Sequence, residues 1–131
     1  MAKGYVGWLL PAQERSRLLE LFPPRFAKTV AHHCTSKFGV SDVEPLPEET
    51  TATVVGECVD PGGVQALVLS IGGTTRRSDG SEYHITWSLE PGRRPVESNK
   101  CLVSHGWQPV DPVEISLQPN FFPFSVSWPA V

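Results

Sequence analysis

The chain is short of several things, and each shortage excludes something. Cysteine is sparse and odd in number: Cys34, Cys58 and Cys101 lie far apart with no CxxC pair. That argues against a disulfide framework and fits a reducing compartment. Long apolar runs are missing as well. The N-terminal "MAKGYVGWLLPAQERS" is too short in its apolar part for a signal peptide or a membrane span, so a soluble cytoplasmic protein with no membrane association is expected. Positive charge is not in excess: 11 Lys and Arg against 14 Asp and Glu give a formal net charge of −3. No global basic field would hold long nucleic acid, and a polyanionic ligand would need a local basic cluster. Long helices are disfavoured because 13 prolines and 11 glycines punctuate 131 residues, a pattern that suits short strands and turns. No internal repeat or composition shift divides the chain, so residues 1–131 are expected to form one domain.

What is present reads as strands around one helix. "GYVGWLL", Gly4 to Leu10, reads as a first strand. "PAQERSRLLELF" reads as a helix, with Pro11 at its tolerant first position and Leu18, Leu21 and Phe22 at i, i+3, i+4 facing the core. Arg15, Arg17 and Glu20 would face water, and Pro23-Pro24 ends the helix. A strand over about Lys28 to Lys37 follows. "TTATVVGECV" and "VQALVLSI" flank "DPGG", a hairpin signal. "GGTTRRSDGS", Gly72 to Ser81, is a basic loop and "EYHITWSLE" a strand. "PGRRPVESNKC" is a turn with at most one helical turn, and "PVEISL" a late strand. The tail, "PNFFPFSVSWPAV", is apolar and proline-broken and would pack along an edge.

Strand alternation then picks out a chemical pattern. Side chains at i and i+2 share a face. In "EYHITWSLE" that puts Tyr83, Ile85, Trp87 and Leu89 on one face and His84, Thr86 and Ser88 on the other. In "AHHCTSKFG", His33, Thr35 and Lys37 fall on one face, with His32 and Cys34 opposite. The chain therefore holds two His-x-Thr pairs, "HCT" and "HIT", whose histidines are 51 positions apart. Imidazole is suited to proton transfer near neutral pH, and a co-facial threonine hydroxyl can bond a phosphoryl oxygen. Two such units facing each other would make a metal-free site for in-line phosphodiester cleavage, with His33 and His84 exchanging protons and Thr35 and Thr86 stabilising charge. A zinc site built on "HHC" is disfavoured, because adjacent strand residues point apart.

These motifs, in the order strand, helix, "HHCTSKFG", hairpin, "YHITWSL", resemble the 2H phosphoesterase superfamily, named for its two His-x-Thr/Ser motifs. "EPGRRPVESN" is similar to the segment that follows the second motif in members associated with RNA repair. The resemblance implies an α+β, bilobal fold with two antiparallel sheets around a central cleft and few helices. It implies cofactor-free hydrolysis of cyclic phosphodiesters of RNA ends or nucleotides, 2′,3′-cyclic phosphate foremost. His33 and His84 would be acid and base, Thr35 and Thr86 the phosphate holders, and an RNA ligase or kinase encoded separately a possible partner. Two departures stand out. Ser36-Lys37 intervene where apolar residues usually follow the first motif, and a hairpin and basic loop occupy the space where many members carry a second helix. A noncatalytic RNA-end or nucleotide-binding module, or a hydrolase of cyclic-nucleotide immune signals, would use the same cleft.

Lys37, Arg76, Arg77, Arg93 and Arg94 are the basic candidates for a substrate phosphate, since a guanidinium fork matches phosphate oxygens. Tyr83 or Trp107 could stack a base. His32 reads as a packed histidine and His105 as a turn residue, with Trp8 and Trp87 in the core and Ser98 and Asn99 in a turn or cap.

Overall fold

The structure, a computed structural model, describes residues 2–126. The elements run β1 (Lys3–Leu9), α1 (Ala12–Leu21), β2 (Lys28–Thr29), β3 (His33–Ser41), β4 (Thr51–Asp60), β5 (Val64–Ser70), β6 (His84–Leu89), α2 (Glu97–His105), β7 (Gln108–Ser116) and β8 (Gln118–Pro123). Among the described residues the fold is α+β, dominated by antiparallel sheet, with two helices. The strands join in the order β7-β4-β5-β6-β3-β1-β8, and β2 also pairs with β6. This is one continuous eight-stranded sheet rather than two separate ones. Its middle is thin, because β3 and β6 share the single pair Cys34↔Ile85. The seam between the two halves therefore runs between the two His-x-Thr motifs.

Both faces of the sheet carry a core. Trp8, Leu18, Cys34, Leu67, Leu69, Ile85 and Trp87 pack on one side with α1. Val30, Cys58, Ala66, Val68, Leu89, Cys101 and Leu102 pack on the other, under α2. A strand buried on both faces reads as a nearly continuous apolar run, as "VQALVLSI" does.

Several sequence expectations are corrected here. Leu21 is exposed, and α1 instead presents Leu18, with Leu19 and Phe22 beside it. Arg15 does not simply face water: its Nε donates to the Ala31 carbonyl at 3.0 Å and its Nη2 to that of Val30 at 3.4 Å. α2 is a full helix where at most one turn was expected. Glu97 Oε2 accepts from the Arg94 amide at 2.6 Å, a reach-back that stabilises a helix start. Gly106, at φ 66°, ends it in a conformation that favours glycine. β7 begins earlier than "PVEISL", and residues of the expected edge-packing tail form β8 against β1; positions 127–131 of that tail lie outside the described residues. Among the described residues no helix is long and apolar enough to cross a membrane.

Candidate functional site

The register at the seam puts the two motifs together. Residues opposite each other in an antiparallel pair share a face. With Cys34 across from Ile85, both in the α1-side core, alternation puts Thr35 on the face of His84; the Ala31 amide donates to the Thr86 carbonyl at 3.0 Å, so His32 and His33 are the residues inserted between these two contacts. Alternation within β3 and β6 places His33, Thr35, His84 and Thr86 on the other face. On the far side of β6, His84 and Thr86 are paired with Val68 and Ala66, which belong to the core under α2.

Two β-bulges then break the simple alternation. In the β5–β6 pairing Gln65 meets Ser88 but Ala66 meets Thr86, so Trp87 is the extra residue. Beyond it the faces exchange. Leu89 joins the α2-side core instead of lying with Ile85 and Trp87, while the Ser88 hydroxyl donates to Gln65 Oε1 at 2.5 Å. In the β1–β3 pairing Gly7 meets Thr35 but Val6 meets Lys37, making Ser36 the extra residue. Lys37 is thereby turned off the His33–Thr35 face, and its Nζ pairs with Glu44 at 3.2 Å.

A third irregularity concerns the adjacent histidines. Ala31, a non-glycine residue, sits at φ 48°, a conformation that costs L-residues energy. The chain kinks there, and the Arg15 bonds to the carbonyls of Val30 and Ala31 hold the kink. As a result His32 is not on the face opposite His33. Its Nδ1 lies 3.0 Å from His33 Nδ1, so one N–H bridges the two rings. His33 also packs against Tyr5 and Phe122, with ring centroids 5.3 and 5.1 Å away. Phe38 and Phe124 continue that aromatic surface, and Phe38 is 72% exposed.

His84 has a different setting. It is 8% exposed, and its Nδ1 is 2.9 Å from the Glu82 carbonyl oxygen. A carbonyl only accepts, so Nδ1 carries the proton and the neutral ring keeps its lone pair on Nε2. Thr86 Oγ1 donates to the Pro95 carbonyl at 3.2 Å and lies 2.7 Å from Ser98 Oγ; with its proton spent on Pro95, it accepts from Ser98. The Thr35 hydroxyl has no protein partner among the described residues.

Both histidines are held neutral. Burial, reinforced by His32 and His84, pushes His33 down to about 3. Burial also lowers His84, against its bond to Glu82; Arg77 lowers it further and Asp79 opposes this. His32 is lowered by burial and then by Arg15.

The remaining candidates are dispersed. Arg77 grips Asp79 at 2.9 Å with little exposure, yet is near enough to His84 to act on it. Arg93 is committed to Asp60 and Glu97 at 3.2 and 2.8 Å, tying the β4–β5 turn to α2, and His105 approaches the same Asp60 at 3.7 Å. Arg76 lines a cavity beside α2. Tyr83 is on the α1-side face, edge-on to Trp8 at 5.7 Å. Trp107 lies over Gly56, where any Cβ would collide with its ring. Tyr83 is therefore off the His33–His84 face, whereas Trp107 packs against the α2-side core over β4. Sequence reasoning missed Ser98, which touches Thr86, and the signal was there: Ser98, Cys101 and Leu102 stand at i, i+3, i+4. Among the described residues no cluster of three His, Cys, Asp or Glu could hold a metal ion.

Comparison with known proteins returns nothing: no family model, no curated protein and no solved structure matches the chain.

Proposed function

We propose that the protein is a metal-independent phosphodiesterase that hydrolyses cyclic phosphodiesters of nucleotides or RNA ends, 2′,3′-cyclic phosphate foremost. The observation that carries this reading is the meeting of His33-x-Thr35 and His84-x-Thr86 on one sheet face across the β3–β6 seam. In the reaction, His84 Nε2, the unprotonated nitrogen, takes a proton from water. The water oxygen attacks phosphorus in line, and one P–O(ribose) bond breaks. His33 gives its proton to the departing ribose oxygen, leaving a phosphate monoester. A ring held near neutrality by burial must gain that proton when substrate arrives. The phosphate's negative charge favours the imidazolium, and the His32 nitrogen beside it can accept the resulting N–H. Thr35 bonds a phosphoryl oxygen.

The bilobal two-sheet form of the resembling superfamily fits the thin seam, each half of the sheet standing for one lobe. A second reading, a noncatalytic RNA-end or nucleotide-binding module, is favoured by one observation: the Thr86 hydroxyl is already satisfied by Pro95 and Ser98.

A panel of 2′,3′-cyclic nucleotides, cyclic dinucleotides and 2′–5′ oligonucleotides, assayed with a chelator present, separates the two. Turnover of a 2′,3′-cyclic nucleotide to a monoester, undiminished by the chelator, is expected. Tight binding with no turnover across the panel would leave the module.

A further inference from the structure

His33 and His84 are both anchored through Nδ1, but by groups of different chemistry. His84 Nδ1 meets the Glu82 carbonyl at 2.9 Å. A carbonyl oxygen accepts and never supplies a proton. His33 Nδ1 meets His32 Nδ1 at 3.0 Å. An imidazole nitrogen donates or accepts according to its protonation, so this second anchor can also supply a proton.

The backbone builds the contact. Neighbours on a regular strand point to opposite faces, which would keep the two rings apart. Ala31 breaks that alternation at φ 48°, a conformation that costs a non-glycine residue energy and persists where the surroundings impose it. Arg15 imposes it from α1 through the carbonyls of Val30 and Ala31. The Leu10 amide holds the His32 carbonyl at 2.9 Å. The Ala31 amide is bonded to the Thr86 carbonyl while Cys34 is already across from Ile85, so the two histidines fill a stretch with no counterpart on β6. Phe122 packs against both rings, its centroid 6.0 Å from that of His32 and 5.1 Å from that of His33.

The proposed reaction asks His33 for a proton although burial keeps its ring neutral. A neutral imidazole can release its Nε2 proton if Nδ1 gains one in the same step. We propose that His32 and His33 form a two-ring proton relay, with His32 a positioning residue that hands its Nδ1 proton to His33 Nδ1 as His33 Nε2 protonates the departing ribose oxygen. The inference rests on the phosphodiesterase reading above. The His32 Nδ1–H, His33 Nε2–H and P–O(ribose) bonds break. The His33 Nδ1–H and ribose O–H bonds form, while water oxygen bonds phosphorus and its proton goes to His84. The relay resets when solvent protonates His33 Nε2 and the Nδ1 proton returns to His32. The substrate's negative charge draws the extra proton onto the pair. The other groups acting on it are the Arg15 cation from α1 and His84 from β6, with the Tyr5 phenol ring from β1 against His33.

The test has two parts. In the ¹⁵N-labelled full chain, the shared N–H should give a scalar coupling between the Nδ1 nuclei of His32 and His33; its absence would overturn the relay. Kinetics then compare His32→Phe, which keeps a ring against Phe122, with His32→Asn, which keeps an acceptor but cannot be protonated. Both should lower kcat on a 2′,3′-cyclic nucleotide roughly 10- to 100-fold with KM unchanged, thermal melts checking that both fold. Both should retain wild-type turnover of a nucleoside 4-nitrophenyl phosphodiester, whose leaving oxygen needs no proton. Full rescue by His32→Asn, equal losses on the two substrates, or full kcat in His32→Phe would overturn the relay while sparing the phosphodiesterase. No turnover of either substrate by the wild-type chain would sink the phosphodiesterase, and the relay with it.

Discussion

The two His-x-Thr motifs match in sequence but differ in what surrounds them. The first sits at the start of β3 against the rings of Tyr5 and Phe122, with a second histidine on its Nδ1 and a threonine hydroxyl that bonds no protein group among the described residues. The second is under α2, its imidazole fixed by a backbone carbonyl and its threonine held by Ser98 and Pro95. A motif of three letters thus specifies which groups share a face but not what constrains them. The first pair has an adaptable partner, which suits a group that must gain and lose a proton. The second is preset in one tautomer, which suits a base.

The largest expected effect treats the motifs as equals. His33→Ala and His84→Ala should each lower kcat/KM on a 2′,3′-cyclic nucleotide by about 10²–10⁴-fold. Retention of more than a tenth of the activity in either would show that the pair does not act as acid and base.

The pH dependence of stability tests the environments directly. An unfolded histidine titrates near 6.5, whereas burial takes His33 to about 3 in the fold and lowers His84 and His32 as well. Between those two values the unfolded chain binds more protons, so stability falls as pH falls. His33 alone should cost about 1.4 kcal/mol per pH unit below 6.5. The depressed carboxylates Glu14 and Asp79 act in the same direction, but from an ordinary range near 4 that lies lower. Thermal melts from pH 7.5 to 5 should therefore report the histidines, and His33→Leu should flatten the slope. Stability that is constant or rises on acidification over that range would contradict the buried neutral pair.

The threonines should separate the motifs most clearly. Thr86→Val removes two hydrogen bonds and leaves the Ser98 hydroxyl, itself 0% exposed, without its acceptor, a loss of about 1–3 kcal/mol in urea unfolding. Thr35→Val should change stability by less than about 0.5 kcal/mol while lowering turnover. Equal destabilisation by the two would mean that the bonds to Ser98 and Pro95 contribute nothing.

What was legible in the sequence follows from its periodicities. The period-2 pattern of "HIT" and "HCT" put His33, Thr35, His84 and Thr86 on strands, and the hairpin around "DPGG" was readable from its turn residues. Periodicity failed where one residue was inserted. Nothing in "TSKFG" or "TWSLE" announces that Ser36 or Trp87 bulges out, because a bulge depends on the partner strand's register. The kink at Ala31 was hidden for the same reason, since it is held by Arg15 from α1, far off in sequence. α2 was missed because Pro95 and the polar "ESNK" read as a turn, although Glu97 and Gly106 supplied both ends of a helix.

The smallest expected effect tests the bulge at Ser36. Simple alternation would aim Lys37 at the phosphate beside Thr35, and its removal would then raise KM for an anionic substrate. With Ser36 bulged, Lys37 lies across from Val6 and reaches Glu44. That ion pair is largely solvated, with the lysine side chain 53% exposed, and such pairs contribute about 0–1 kcal/mol. Lys37→Ala should therefore leave kcat/KM within about twofold and change the urea midpoint only slightly. A KM raised tenfold with kcat unchanged would return Lys37 to the substrate face. It would also show that the register of β3 beyond Thr35 shifts when the anion binds, making the first motif the moving half of the site and the second its fixed frame.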